Sequence, residues 1–263
     1  MTLTLGPATV FTSAIWQTTS TLVRTDAGVV AFDPTYFPAE VAAVRAACDH
    51  CSGQRHLVFT HSDWDHVVGA AEFEGFTTTA HAAVAGKDAA AQAKILGEIT
   101  DFDARWYVPR PTPRRYPAVD HAITPDPEHH ATLAGEEVVF VAAIGHTDDG
   151  LVTLFPRYRL GVAGDLLSAL EFPFVYHDAA AYRATLDRVW SSLQRHGIDT
   201  LVVGHGPPAV GVAEIADRLD ADRRYLDALL AARSDVEVTY RGAAIPLHLR
   251  EFHERNLALS VTA

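Results

Sequence analysis

Cysteine is scarce in this chain, basic residues are outnumbered and no long apolar run is present. The two cysteines, Cys48 and Cys51, form a lone C-x-x-C around His50, with no second ligand pair at zinc-knuckle spacing. They close a helical pattern, VAAVRAACDHC, instead of following a strand at a helix start, so they read as two buried or half-buried thiols and not as a redox pair. No stretch approaches the roughly 18 uninterrupted apolar residues of a membrane span, and MTLTLGPATV has no basic region followed by an apolar core. The expectation is therefore a cytoplasmic protein with no membrane partner. Lys and Arg number 21 against 33 Asp and Glu, a formal net charge of −12. That balance repels polyanions, and the densest basic stretches, RPTPRR (110–115) and DRRY (222–225), are short, so nucleic acid is not expected as a partner.

The 263 residues are 48% hydrophobic and 21% charged, enough to bury a sizeable core, and we expect one domain over 1–263. Residues 8–33 alternate and turn repeatedly, which predicts a β-meander closed at Asp33-Pro34. A helix is expected over 38–51, a strand at 55–60, a helix start at 65–73, a strand at 76–80 and an Ala-rich helix to about 99. Prolines crowd residues 101–127, which read as an insertion or lid. Strands near 137–143, 151–155 and 159–163 then precede helices at 178–196 and 211–232 with a strand at 200–204 between them. The tail 233–263 is mixed in pattern. This repeated order of strands then helices predicts two packed sheets with helices outside, an α/β fold of four αββα layers.

One short turn concentrates chemistry. THSDWDHVVG (60–69) follows an apolar strand and holds His61, Asp63, Asp65 and His66 within six positions. Three further polar residues stand at strand ends beside glycine: His146 in AIGHTDDG, Asp165 in GVAGDLL and His205 in VVGHGPP. Glycine lets the backbone turn sharply and approach a ligand closely. With 14 histidines in the chain, one well-placed imidazole means little. Four repeats of a strand ending in His or Asp read as a metal site assembled at the carboxyl ends of strands.

This pattern resembles the metallo-β-lactamase superfamily, whose signature is H-x-H-x-D-H followed by a His in a G-H-T context, an Asp in a G-D context and a His in a G-H-G context. His61, Asp65 and His66 match the first block; His146, Asp165 and His205 match the rest, in order. The resemblance implies an αββα sandwich with a dinuclear metal site at the sheet edge. It implies that His61, residue 63 and His146 hold one ion, that Asp65, His66 and His205 hold the second, and that Asp165 bridges them. It further implies hydrolysis by a metal-bridging hydroxide, with Asp65 orienting that hydroxide and shuttling a proton. Asp63 departs from the pattern, standing where the family has its second histidine. A carboxylate there hardens the first site, so zinc is expected first, with Mn or Fe admitted. Flavodiiron members carry a Glu at this place, which keeps a di-iron or Mn oxidoreductase as the alternative, beside a metal-binding protein with lost hydrolytic activity.

The expected reaction is cleavage of an ester-like bond (lactone, thioester, β-lactam or phosphoester) in a small molecule. Trp64, inside the motif, and Phe172, Phe174, Tyr176 and His177 of EFPFVYHD, which follows Asp165, are candidates for the substrate pocket. His129, His130, His248 and His253 read as surface histidines.

Overall fold

The computed structural model describes residues 1–231 and 238–261. Residues 233–237 of the tail, residue 232 of the expected second-half helix and residues 262–263 lie outside the described residues.

The first sheet contains β1 (Thr2–Leu5), β2 (Ala8–Thr12), β3 (Thr19–Thr25), β4 (Gly28–Phe32), β5 (Gln54–Val58), β6 (Thr77–His81) and β7 (His121–Ile123), side by side in chain order. Short turns make the first four antiparallel; longer crossovers make β4 to β7 parallel. The second sheet has the order β13-β12-β11-β10-β9-β8, from β8 (Glu128–Leu133), β9 (Glu136–Ala142), β10 (Leu151–Phe155), β11 (Leu160–Val162), β12 (Thr200–Val202) and β13 (Ala209–Val210). A small hairpin, β14 (Thr239–Tyr240) with β15 (Ala243–Ala244), follows. The helices are α1 (Pro38–Asp49), α2 (Trp64–Val67), α3 (Ala82–Ala85), α4 (Ala89–Trp106), α5 (Ala179–Arg195), α6 (Val212–Ala231) and α7 (Arg250–Val261). Among the described residues, no helix is long and apolar enough to cross a membrane.

Side-chain alternation along the strands builds four layers. Along β4, Val30 and Phe32 point between the sheets, where they meet Val138, Phe140 and Phe155 of the second sheet. Val29 and Ala31 point the other way, onto Val41 and Val44 of α1. Both faces are covered, so all five residues of β4 are buried and its sequence GVVAF shows no polar alternation. The second sheet repeats this arrangement: Val139, Val141, Val152 and Leu154 face an outer layer in which α5 presents Tyr182, Leu186, Val189 and Leu193, one stripe at helical spacing. Asp178 starts that helix by accepting a hydrogen bond from the Ala181 amide at 2.6 Å.

Two departures from the sequence reading concern the middle of the chain. The Ala-rich helix does not stop near residue 99; α4 runs to Trp106 and ends where Tyr107 turns left-handed, with φ of 55°. The proline-rich stretch folds back on it, because buried Asp103 accepts from Arg110 Nε at 2.8 Å and Arg114 Nη1 at 3.0 Å. Part of the same stretch forms β7 on the edge of the first sheet. Strand β8 has no counterpart in the sequence reading, since its sequence EHHATL is polar; as an edge strand it exposes His129 and His130 and needs no apolar run. The two cysteines are free thiols, Cys48 buried in the α1 core and Cys51 half-buried.

Candidate metal centre

All seven polar residues singled out at strand ends come to one end of the sandwich. His61 and Asp63 lie in the loop leaving β5, Asp65 and His66 on the short α2, His146 after β9, Asp165 after β11 and His205 after β12. The two sheets are laced together here by main-chain hydrogen bonds, Thr19 N to Gly204 O and Leu151 N to Thr60 O, both 2.7 Å. This lacing carries candidate ligands from both halves of the chain to one point.

His61, Asp63, His146 and Asp165 form one cluster whose ligand atoms lie within 4.8 Å of one another, and Asp65, His66 and His205 form another to the same limit. Asp165 stands between them: its Oδ2 is 3.3 Å from His146 Nε2 and 3.4 Å from His205 Nε2, and its Oδ1 is 3.0 Å from His66 Nε2. Asp63 Oδ2 lies 3.2 Å from His146 Nε2 and 3.7 Å from His61 Nε2, within the first cluster. Asp65 Oδ2 lies 3.4 Å from His205 Nε2 and 3.7 Å from His66 Nε2.

Each imidazole is oriented through its other nitrogen. His66 Nδ1 is 3.0 Å from Asp33 Oδ2, His146 Nδ1 2.7 Å from the Phe174 carbonyl, and His205 Nδ1 3.2 Å from the Trp16 carbonyl. His61 Nδ1 meets Thr60 Oγ1 at 3.0 Å, and that hydroxyl donates its proton to Asp33 Oδ2. These acceptors hold the proton on Nδ1, which leaves the Nε2 lone pair free for a metal. Among the described residues, the buried Nε2 atoms of His61, His66 and His146 and Oδ1 of Asp165 have no partner in hydrogen-bonding geometry, close as they lie to one another. Buried polar atoms are almost always satisfied, so four orphans aimed at one point fit a missing cation. Glycine is required beside them: a Cβ on Gly204 would stand 2.1 Å from Asp165 Oδ1 and 2.9 Å from His66 Cε1.

The electrostatics agree. Burial alone would lower the imidazoles, but Asp165 with Asp65 or Asp63 raises His66 and His146 well above the usual value, and Asp165 carries His205 to about 9. Burial would likewise raise Asp63 and Asp165, but the imidazoles hold both below the carboxylate range. Three carboxylates packed among four imidazoles create a potential that only protons or metal cations neutralise.

Sequence reasoning passes over the residues behind the ligands. Asp33 carries the same signal as the ligands, an acid at a strand's carboxyl end, but the proline after it marks a turn. Asp149, the second aspartate of HTDDG, is fully buried, accepts from Ser62 Oγ and pairs with Lys87 Nζ at 3.0 Å, bracing the loop that carries His61 and Asp63.

The centre opens beside Asp63 into a cavity of ≈ 610 Å³. Trp64, Tyr176 and His177 line it, with Ile95, Phe252 and the charged Lys87, Lys94, Glu98 and Arg255. Trp64 also packs edge-on to Trp16 and Tyr36, at 5.7 and 5.5 Å, so it is at once cavity wall and core. The Tyr176 ring lies 5.1 Å from His146 and 5.6 Å from the Arg255 guanidinium. Phe172 and Phe174 do not face this cavity. Phe172 is 2% exposed and packs on Tyr225; Phe174 stacks on Phe252 at 4.5 Å, and its contribution to the site is the carbonyl that orients His146. His253 is bonded to the Tyr225 hydroxyl at 2.9 Å.

Comparison with known proteins agrees with this architecture. A stereoselective inverting sec-alkylsulfatase, Pisa1 of Pseudomonas sp., superposes with a TM-score of 0.60 at 19% identity, over 81% of this chain and 39% of its own. This chain thus spans about two fifths of that enzyme's length. A metallo-β-lactamase family protein of Thermus thermophilus superposes at 0.60 with 16% identity, over 86% of this chain and 81% of its own. The B3 metallo-β-lactamase BLEG-1 superposes at 0.59 with 16% identity, over 82% and 97%. At these identities the likeness is one of fold. A search of curated proteins finds no significant match. The profile of the metallo-beta-lactamase superfamily matches residues 14–205, a span that begins between β2 and β3 and ends on the last of the candidate ligands, His205. The chain belongs to the metallo-β-lactamase superfamily.

Proposed function

We propose that this protein is a metal-dependent hydrolase of a small molecule with an ester-like bond, working at a dinuclear centre. One observation carries the reading: orphaned Nε2 and carboxylate atoms from both sheets converge on one point, beside an open cavity. His61, Asp63 and His146 would hold one divalent ion, Asp65, His66 and His205 the other, and Asp165 both. Bound divalent ions supply Lewis acidity and an activated water at neutral pH. The chain's own residues do the rest. Asp33, Thr60 and the carbonyls of Phe174 and Trp16 fix the imidazole tautomers, Asp65 orients the attacking water and takes up its proton, and Trp64 and Tyr176 hold the substrate's apolar part.

The cavity also selects among substrates. Lys87 is committed to Asp148 and Asp149, at 2.8 and 3.0 Å, whereas Lys94 and Arg255 make no ion pair with a described residue. These two cations at the rim of an otherwise acidic protein favour a substrate bearing a negative charge away from the scissile bond. The test is a panel of carboxylate, thioester, lactone, β-lactam, phosphate and sulfate esters, assayed with Zn, Mn and Fe and repeated with Asp65→Asn. Turnover of one class that falls at least roughly 10²-fold in Asp65→Asn supports the reading. Failure to bind metal under any loading condition refutes it.

Asp63 supports a second reading. A carboxylate in the first cluster suits harder ions than an all-imidazole set, which favours a di-iron or manganese redox centre. Metal analysis with an aerobic absorption spectrum separates the two, since an oxo-bridged di-iron centre absorbs in the near ultraviolet and zinc is silent.

A further inference from the structure

A second group of imidazoles and a carboxylate lies at the opposite end of α5 from the metal centre. Glu128 and His130 sit two residues apart on β8, hence on the same face of the strand, and His196 is the residue that ends α5. Glu128 Oε2 is 3.2 Å from His196 Nε2 and 3.9 Å from His130 Nε2, with the two rings 5.9 Å apart. One atom from each of the three residues lies within 4.8 Å of the other two.

We propose that Glu128, His130 and His196 form a separate site for one divalent transition ion of the zinc class. Two imidazole nitrogens and one carboxylate oxygen are a zinc set, with water completing the tetrahedron. Surrounding groups prepare that set. Glu128 Oε1 is fully used, accepting from Ser192 Oγ at 2.5 Å and Arg195 Nη1 at 2.6 Å, so the carboxylate is fixed and presents Oε2 to the histidines. His130 Nδ1 faces Glu137 Oε1 at 3.5 Å, the outer carboxylate that directs Nε2 toward a metal. His196 caps the C-terminus of α5, the negative end of the helix dipole, a favourable place for a cation. Arg195 opposes it, but its guanidinium is engaged on the other carboxylate oxygen. Glu128 and His196 are 11% and 15% exposed at their side chains and His130 is 55% exposed, so two ligands are held and the third is free to close on the ion.

Such an ion would tie the free edge of the second sheet to the helix packed on it. The site rests on none of the residues of the metal centre, so it stands or falls independently of the hydrolase reading.

The experiment compares the zinc-saturated full chain with His130→Ala and His196→Gln. His130 is exposed on an edge strand, and Gln keeps the size and hydrogen bonding at residue 196, so both variants are expected to fold. Elemental analysis after equilibrium dialysis against micromolar zinc should find one zinc per chain fewer in each variant than in the parent. The zinc-dependent rise in Tm should be smaller in both. Failure of the metal centre to bind zinc would lower all three counts equally and leave the difference of one. Equal zinc counts in the parent and both variants would overturn the proposal and leave an ordinary ion-pair network.

Discussion

Residue 63 is where a single side chain would decide the chemistry of the proposed metal centre. Asp63 Oδ2 is within 3.2 Å of His146 Nε2 and 28% exposed at the cavity mouth, a position from which it can ligate and be reached by solvent. Asp63→His would restore the superfamily's usual residue and is expected to shift the first site toward zinc over manganese, because imidazole suits zinc and carboxylate suits harder ions. Asp63→Ala is expected to weaken that site while the ion held by Asp65, His66 and His205 stays. Competitive Zn and Mn titrations of the three proteins check both; identical selectivity and stoichiometry would make Asp63 a bystander. At this scale the residues that could hold metal were legible because each combines a chemically distinctive side chain with a strand end. The parts of Asp33 and Thr60 were not: Asp33 reaches the Nδ1 of His66 from 33 residues away and the proline after it reads as a turn, and a threonine beside a histidine is no distinctive signal.

Elements bring together residues that no motif connects. Helix α4 supplies Lys94 and α7 supplies Arg255 to one cavity, and Arg255 lies on Tyr176 and Phe252 at 5.6 and 5.7 Å. For an anionic substrate, Lys94→Met or Arg255→Leu is expected to raise KM roughly 5–10-fold with little change in kcat, the signature of lost ground-state and transition-state binding alike. A neutral analogue should show no such rise. Arg255 falls beyond the matched residues 14–205, and nothing in the mixed tail pattern revealed that it reaches the site. Helix α6 makes a different point. Asp222 is fully buried against the Tyr240 hydroxyl at 3.1 Å, and burial raises its carboxyl to about 7. Its folded pKa lies above the unfolded value near 3.9, so the stability it contributes is complete below about pH 4 and is lost as pH rises through about 7. Asp222→Asn cannot ionise and is expected to lose less stability than the parent between pH 5 and pH 8, by on the order of 2 kcal/mol in urea unfolding. Parallel losses in the two proteins would show that Asp222 titrates normally.

On the scale of the whole molecule, the metal centre is a joint. Its candidate ligands follow β5, β9, β11 and β12, so ions held there would tie the two sheets together at one end. Chelation is therefore expected to lower Tm and broaden unfolding, since each ion at a hundred times its dissociation constant contributes roughly 2.7 kcal/mol. Differential scanning calorimetry with and without chelator checks this, and an unchanged Tm would mean that the centre does not bind metal tightly in the folded state. The sequence by itself determined the layers and singled out the candidate ligands. The continuous apolar run of β4 and the helical stripe of α5 mark buried elements from apolar spacing alone, and His61, Asp63, Asp65, His66, His146, Asp165 and His205 stand out because each lies near a strand end, with glycine beside His146, Asp165 and His205. Only the tertiary structure decided which atoms face one another. It turned Phe172 into the core, gave Phe174 its part through a carbonyl, drew Lys94 and Arg255 to one rim and set His196 beside His130 and Glu128. The physical reason is range: local periodicity encodes which face of an element is buried, whereas contacts across many tens of residues depend on how the two sheets and their helices pack.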